Sequence, residues 1–301
     1  MAITTVHPLF TEWYTVNGES MANYGWSVES VSTGLPERKG ENVTSPIMHG
    51  SVFREKRFGP RTDTWNIWIC DANPTTGAIP TTEEGKRAQF NENMDYVNRI
   101  LNCLTPNGLN NGALQIEKHY LSTVGAPVDT VLTAYAEVAS AYSYDDAKQF
   151  NCATLSVDIS YPNPLWIGSS VTATLNGTSG AGTTSSITSA NIGSAPVSAM
   201  TITITANSGQ TVVNPRITNG TLANYPGQIG YTGTLTSGQS VIIDTSAFTI
   251  TKASSNVISS LFRSGYRQDW FELFPGQNNS ITASSTSGSF TVAITYNKVF
   301  F

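Results

Sequence analysis

"DWFELFPGQNNSITAS", residues 269–284, joins an aromatic and apolar run to Pro-Gly, then to Asn-Asn, then to a polar alternating run. Trp270, Phe271, Leu273 and Phe274 read as a strand with apolar groups on both sides, one face of which fills a core. Pro275-Gly276 ends it, and Ile281 opens the next strand. The same rhythm runs through the rest of the second half. "MTITITA", "PRITNGT", "GYTGTLTSGQSVIIDTSAFTI" and "SFTVAITY" are short alternating runs divided by turn residues. Turn signals recur about every 8–12 residues, the spacing of a β-sandwich, and no helical period competes.

The composition agrees. The 301 residues suit one large or two ordinary domains, and 39% hydrophobic residues supply a substantial core. Charged residues are only 12%, about half the usual share. Residues 1–165 hold 11 Lys/Arg against 18 Asp/Glu, whereas residues 166–301 hold 5 against 3. Without a basic stripe, gripping a nucleic-acid duplex by phosphate neutralisation is not expected. Cys70, Cys103 and Cys152 lack a CxxC pair or a histidine cluster. They read as small buried hydrophobes of a protein made in a reducing cytosol, not as a metal site or disulfide framework. "MAITTVHPLF" lacks the basic start and apolar core of a secretion signal, and no run approaches the ~20 apolar residues of a membrane span.

The first half contains two hairpin signals. In "EWYTVNGESMANYGWSVESV" (12–31), Asn17-Gly18 is a tight-turn dipeptide, and Trp26, Val28 and Ser30 alternate against Ser27, Glu29 and Val31. In "GSVFREKRFGPRTDTWNIWICD" (50–71), Phe58-Gly59-Pro60 divides two extended runs into a longer hairpin. One arm carries Arg54, Glu55, Lys56 and Arg57. The other carries Trp65, Ile67 and Ile69 on one side and Trp68 on the opposite side, so it is either central or covered by a neighbouring chain. The one helical period lies in residues 81–104, where Phe90, Met94, Val97, Leu101 and Leu104 share a face. Thr81 and Glu84 fit a capping box, and Pro106-Asn107-Gly108 stops the helix. Strands resume around 113–120, 131–142 and 152–161. The uncharged Gly/Ser/Thr-rich stretch 175–195 reads as a connector, with a domain boundary near Trp166.

Little in the chain suggests chemistry. His7, His49 and His119 have no metal-ligand spacing between them, and no nucleophile elbow, Walker A loop or dinucleotide fingerprint is present. Gly227, Gly230 and Gly233 lack the lysine and following helix of a phosphate loop and read as a turn. The acid pairs Asp145-Asp146, Glu83-Glu84 and Asp269 with Glu272 are the only candidates for glycoside hydrolysis. Adjacent acids in turns or at helix starts are more often solvated or dipole-paired. No catalytic, cofactor or metal residue is therefore expected.

With the second half laid out, its pieces resemble the C-terminal domain of siphophage distal tail proteins, also called minor tail proteins. "NIGSAPVSAMTITITA", "NPRITNGT", "GTLTSGQSVIIDTSAFTI", "WFELFPGQNNSITAS" and "GSFTVAITY" follow in that order over residues 190–296. The most discriminating positions are Asn214-Pro215 with Ile217 and Asn219, then Ile243-Asp244-Thr245, then Trp270, Leu273, Pro275-Gly276 and Asn278. The resemblance implies a mainly β fold. Residues 1–165 would form a ring-building, tail-tube-like β-sandwich or barrel with one helix and a long hairpin. Residues 166–301 would form a galectin-like, jelly-roll β-sandwich similar to carbohydrate-binding modules. It also implies a hexameric ring hub at the distal tip of a long non-contractile tail, assembled in the bacterial host cytoplasm. The ring would join the tail tube to tip proteins, a tail-associated lysin and receptor-binding or fibre proteins. DNA would cross the lumen without specific binding, as an acidic lining repels it within a Debye length of ~8 Å. Candidate subunit-interface residues are Arg54, Lys56, Arg57, Arg61, Trp65 and Trp68. The competing readings are a lectin-like module that binds host cell-wall glycan directly, and a hydrolase of cell-wall polymer.

Overall fold

The computed structural model describes residues 3–7, 12–34, 36, 38–39, 43–44, 51–52, 57–104, 113–120, 131–139, 143–147, 151–221, 227–264 and 271–301. The fold is mainly β. The chain divides into two compact units, Met1–Trp166 and Ile167–Phe301.

The first unit contains β1 (Glu12–Val16), β2 (Trp26–Thr33), β3 (Arg61–Ile69), α1 (Glu83–Leu101), β4 (Leu114–Tyr120), β5 (Val131–Val138), β6 (Ser143–Ala147) and β7 (Cys152–Tyr161). One antiparallel sheet runs β1–β4–β5. A second runs β2–β3–β7–β6. Strand β5 connects them, because Glu137 and Val138 leave β4 and pair with Ser160 and Ile159 of β7. Asn17 and Gly18 form the expected turn, with φ of 52° and 78°. Both positions need positive φ in a turn whose twist matches the strands.

Helix α1 is shorter than its sequence pattern suggests. The cap is Thr82, whose hydroxyl accepts from the Gly85 amide at 3.1 Å, so no Thr81–Glu84 capping box forms. Phe90, Met94, Val97 and Leu101 are buried as the period requires, together with Ile100 and Asn93. Leu104 lies past the helix end and is 71% exposed. Buried Asn93 ties the helix to the chain leaving β3, donating to the Cys70 and Ala72 carbonyls at 2.7 and 2.9 Å.

The long hairpin also differs from its reading. Gly59-Pro60 does not turn the chain. Thr33 pairs with Asp63, Arg38 with Phe58, Lys39 with Arg57, Val43 with Val52 and Thr44 with Ser51. The described parts of residues 51–69 thus pair antiparallel with those of residues 26–44. The proline is tolerated because no ladder bond is needed from it between paired segments. A bulge between Val28 and Ser30 interrupts the alternation read from Trp26 to Ser30.

The second unit contains β8 (Trp166–Ser179, beginning on the last residue of the first unit), β9 (Thr183–Ile187), β10 (Met200–Ala206), β11 (Arg216–Asn219), β12 (Gly227–Tyr231), β13 (Ser240–Asp244), β14 (Thr249–Lys252), β15 (Leu261–Ser264), β16 (Asn279–Ser285) and β17 (Phe290–Phe300). One sheet runs β8–β17–β10–β13–β14, the other β9–β16–β11–β12–β15. Ile202, Ile204, Ile243 and Val292 from the first sheet share a core with Ile217, Ile229 and Ile281 from the second. Period-two alternation alone sends these residues inward.

Residues 175–195 are therefore sandwich and not connector. Leu175 and Ile187 are buried in the core, and threonine hydroxyls pair across the strands, Thr184 with Thr282 at 2.8 Å and Thr172 with Thr295 at 3.0 Å. Threonine is β-branched and suits strands, which composition-based linker logic overlooks. Gly177 is required by packing, since a Cβ there would stand 2.2 Å from Cζ of Phe290. The 227–231 stretch is likewise strand β12 and not a turn.

Trp270 lies outside the described residues. Phe271 and Leu273 fill the core, and among the described residues 271–274 the pairing is a single bridge from Leu273 to Val197. Pro275-Gly276 turns as expected, with Gly276 at φ 74°. Phe271→Ala should destabilise the full-length protein by about 3–5 kcal/mol. Calorimetry would show the loss as a lowered transition, and an unchanged melting curve would contradict this placement.

Candidate assembly interface

Strand β3 has one fully internal face. Arg61, Asp63, Trp65, Ile67 and Ile69 are all buried, while Thr64, Asn66 and Trp68 are half-buried on the other side. Of the six residues picked out for subunit contact, Arg61 and Trp65 thus pack inside their own unit. Alternation explains it: they share the parity of Ile67 and Ile69. Trp68 faces outward, between Ser27 of β2 and Thr154 of β7. Arg57 lies in the paired ribbon opposite Lys39. Arg54 and Lys56 lie outside the described residues.

Arg61 and Asp63 form an ion pair at 3.1 Å with side chains only 3% exposed. Arg61 Nη1 also donates to the Pro164 carbonyl at 2.9 Å. Its guanidinium lies over the Tyr161 ring at 4.6 Å and the Trp166 ring at 5.6 Å. Burial pushes the Asp63 carboxyl above its ordinary range, against the pull of Arg61 and a hydrogen bond from the Gly34 backbone. Burial pushes the Tyr161 hydroxyl up as well, with the Asp63 charge adding to it. The cluster holds the base of the ribbon to the exit of β7. Both of its charged side chains are buried.

The β2–β3–β7–β6 sheet ends on one side in β2, whose first residues pair with Met21–Asn23, and on the other in β6. Beyond the bulge, Ser30, Ser32 and Thr33 of β2 are exposed, and β6 at the far side pairs only with β7. Such edges present rows of unpaired amides and carbonyls. On the β1–β4–β5 sheet, Trp13 stacks on His119 at 5.2 Å, and His119 Nε2 stands 3.3 Å from Glu117. His7 packs edge-on against Tyr24, and His49 lies outside the described residues. Glu83 and Glu84 are exposed at the start of α1 and do not converge on a cleft. Asp145 and Asp146 lie along β6, and Asp269 is outside the described residues.

In the second unit, the positions that carry the family resemblance act as internal latches. Asn279 is fully buried, and its Oδ1 accepts the Phe274 amide at 2.8 Å. Its Nδ2 donates to the Phe274 carbonyl at 2.8 Å. Asn219 Nδ2 donates to Asn279 Oδ1 at 3.0 Å and to the Glu272 carbonyl at 2.8 Å. Asn214, at φ 51°, accepts the Gly233 amide at 2.9 Å. The Thr245 hydroxyl accepts from the Met200 amide at 2.8 Å and donates to the Ser198 carbonyl at 2.5 Å. Hydrogen bonds from the Ser246 hydroxyl and the Ala247 amide hold the Asp244 carboxyl below its usual range. Sequence reasoning passed over Asn279, Asp63 and Tyr161. The Asn-Asn after Pro-Gly was the available signal for the first of them.

Asp63→Ala leaves a buried arginine unpaired and should cost about 3–5 kcal/mol. Replacing the pair together, Arg61→Met with Asp63→Leu, should return the melting temperature close to wild type. Thermal unfolding of the full chain checks both, and a silent Asp63→Ala would remove the argument for a charged core.

Residues 192–300 match the family model of the siphovirus-type tail component, C-terminal domain. No curated protein matches the sequence. The solved SPP1 Dit protein, described as a paradigm of the hub adsorption apparatus in phages infecting Gram-positive hosts, superposes at a TM-score of 0.58. It is 14% identical, with 97% of this chain and 100% of that one covered. A chain of the phage P2 baseplate in its activated conformation with Ca is 10% identical over 95% of this chain and 98% of that one. Its TM-score of 0.35 is too low to bear on the fold. Over residues 192–300 the chain is thus similar to the siphovirus-type tail component, C-terminal domain, and the chain shares the fold of the SPP1 Dit protein.

Proposed function

We propose that this protein is a structural virion component that closes into a hexameric ring hub at the distal end of a long non-contractile tail. The ring joins the tail tube to the tip and receptor-binding proteins and leaves a channel for DNA. The observation that carries this reading is the β2–β3–β7–β6 sheet. The part of β2 beyond its bulge and strand β6 have no outer partner among the described residues and lie at opposite sides of the sheet. Strand β6 of one copy can therefore pair with Ser30–Thr33 of the next in a head-to-tail contact. Head-to-tail contacts close into rings when the rotation between copies allows it. Beyond β2 and β3, Lys39 pairs with Arg57 in a ribbon whose neighbouring sequence adds Arg54 and Lys56, while Trp68 faces outward from β3 itself. Trp68 contributes apolar area, and the basic side chains find acids on a first half that is strongly acidic.

The second unit serves as a docking module for other tip proteins. Its few charges and its hydroxyl-rich outer strands suit broad, weakly polar contacts. The role assigned to the whole chain is non-enzymatic.

Native mass spectrometry of the full chain should find an assembly of six 32.3 kDa subunits. Replacing residues 40–56 by Asn-Gly would join paired Lys39 and Arg57 through a two-residue turn. That variant should keep the parent melting temperature and lose the ring. A ring that survives the shortening, or a parent protein that stays monomeric with its tail-tube partner present, would overturn the reading.

A further inference from the structure

Two of the three cysteines are brought together by strand register, although 81 residues separate them in the chain. The β3–β7 ladder pairs Trp68 with Thr154 and Ile69 with Ala153, so the next step sets Cys70 opposite Cys152. Ile69 and Ala153 point into the core, which places both cysteines on the outer face, each half-buried. The expectation of small buried hydrophobes is corrected accordingly, since all three cysteines are half-buried.

The backbone fixes the type of pair. The Cys70 amide donates to the Gly25 carbonyl at 2.9 Å, on the side away from β7. In an antiparallel sheet a residue turns its amide and carbonyl toward the same neighbour, so facing β7 this is a non-hydrogen-bonded position. Opposed Cα atoms there are ~4.5 Å apart, within the ~4.4–6.8 Å that a disulfide spans. The Cys70 thiol is held by a weak bond to the Tyr24 carbonyl at 3.3 Å. Cys103 sits apart, beside the Asn17 amide and the Ala113 carbonyl.

We propose that Cys70 and Cys152 form a reversible cross-strand disulfide that staples β3 to β7 when the protein meets an oxidising low-molecular-weight disulfide. One cysteine thiolate attacks the external disulfide, giving a mixed disulfide and releasing one small thiolate. The second cysteine thiolate attacks the protein-bound sulfur, closes the Cys70–Cys152 bond and releases the other small thiolate. The two protons come from the cysteines, and the two electrons reduce the external disulfide to two thiols. The bond closes a loop containing α1, β4, β5 and β6 at the centre of the first unit. Burial raises both thiol pKa values, and the Asp71 carboxylate adds to the effect. Few thiolates are therefore present at neutral pH, and closure accelerates as pH rises. The inference is independent of the ring reading, and either one can fail alone.

The test uses the full chain, purified with reductant, desalted, and incubated with oxidised glutathione at alkaline pH. Quenching with iodoacetamide and peptide mapping without reduction should recover a Cys70 peptide linked to a Cys152 peptide, with Cys103 alkylated. The melting temperature should rise by about 5 °C or more and fall back with dithiothreitol. Cys103→Ser should keep the link. Cys70→Ser and Cys152→Ser should each stop at a glutathione adduct on the remaining partner, with no stabilisation. Three alkylated cysteines, adducts without a link in the parent chain, or a link through Cys103 would each overturn the proposal.

Discussion

Everything in the first unit depends on β3 being paired on both sides. Backbone amides and carbonyls removed from water must find partners, and β3 finds them in β2 on one side and β7 on the other. Both flanks being occupied, the strand can present only its two faces. One of these becomes the core wall of Trp65, Ile67 and Ile69. Parity then carries Arg61 and Asp63 inward with them, because a strand cannot turn two consecutive odd positions inward and leave a third outside. The ion pair, the Pro164 carbonyl and the Tyr161 and Trp166 rings make that burial tolerable. Taking charges out of water is costly without such partners. The same two stretches of chain pair again beyond Thr33 and Asp63, Arg38 with Phe58 and Lys39 with Arg57.

The second unit solves its closure problem with neutral groups. An amide side chain carries both a donor and an acceptor, and can stand in for a backbone partner where a strand stops. Asn279 does this for Phe274, and Asn219 bridges Asn279 to Glu272. Thr245 does the same for Met200 and Ser198. These residues lie within the segment that matches the tail-component family. They are spent on holding loops to sheets. The scarcity of charge follows, since amides and hydroxyls meet these needs without an ionic desolvation cost.

Several features were legible because they are local. The Asn17-Gly18 turn, the stop at Pro275-Gly276, the helix period from Phe90 to Leu101 and the core parity of Ile202, Ile243 and Ile281 each depend on a few consecutive residues. The failures were non-local or compositional. Gly59-Pro60 resembles a turn, yet pairing on either side of it keeps the arm straight. Residues 175–195 have the composition of a linker, yet Leu175 and Ile187 find core partners far away in the chain. Leu104 keeps the helical period but lies beyond the helix end.

The sequence by itself determined which side chains share a face, where short turns fall, and that the chain is β-rich and poor in reactive groups, because period and φ preference act over a few residues. Tertiary structure alone decided which strands are neighbours. Register across long loops places Arg61 and Trp65 inside and Trp68 outside, leaves β6 and the outer part of β2 without a further partner among the described residues, and sets Cys70 opposite Cys152. Those outcomes depend on contacts between segments tens of residues apart, and no local pattern encodes which distant strand will supply a hydrogen-bond partner.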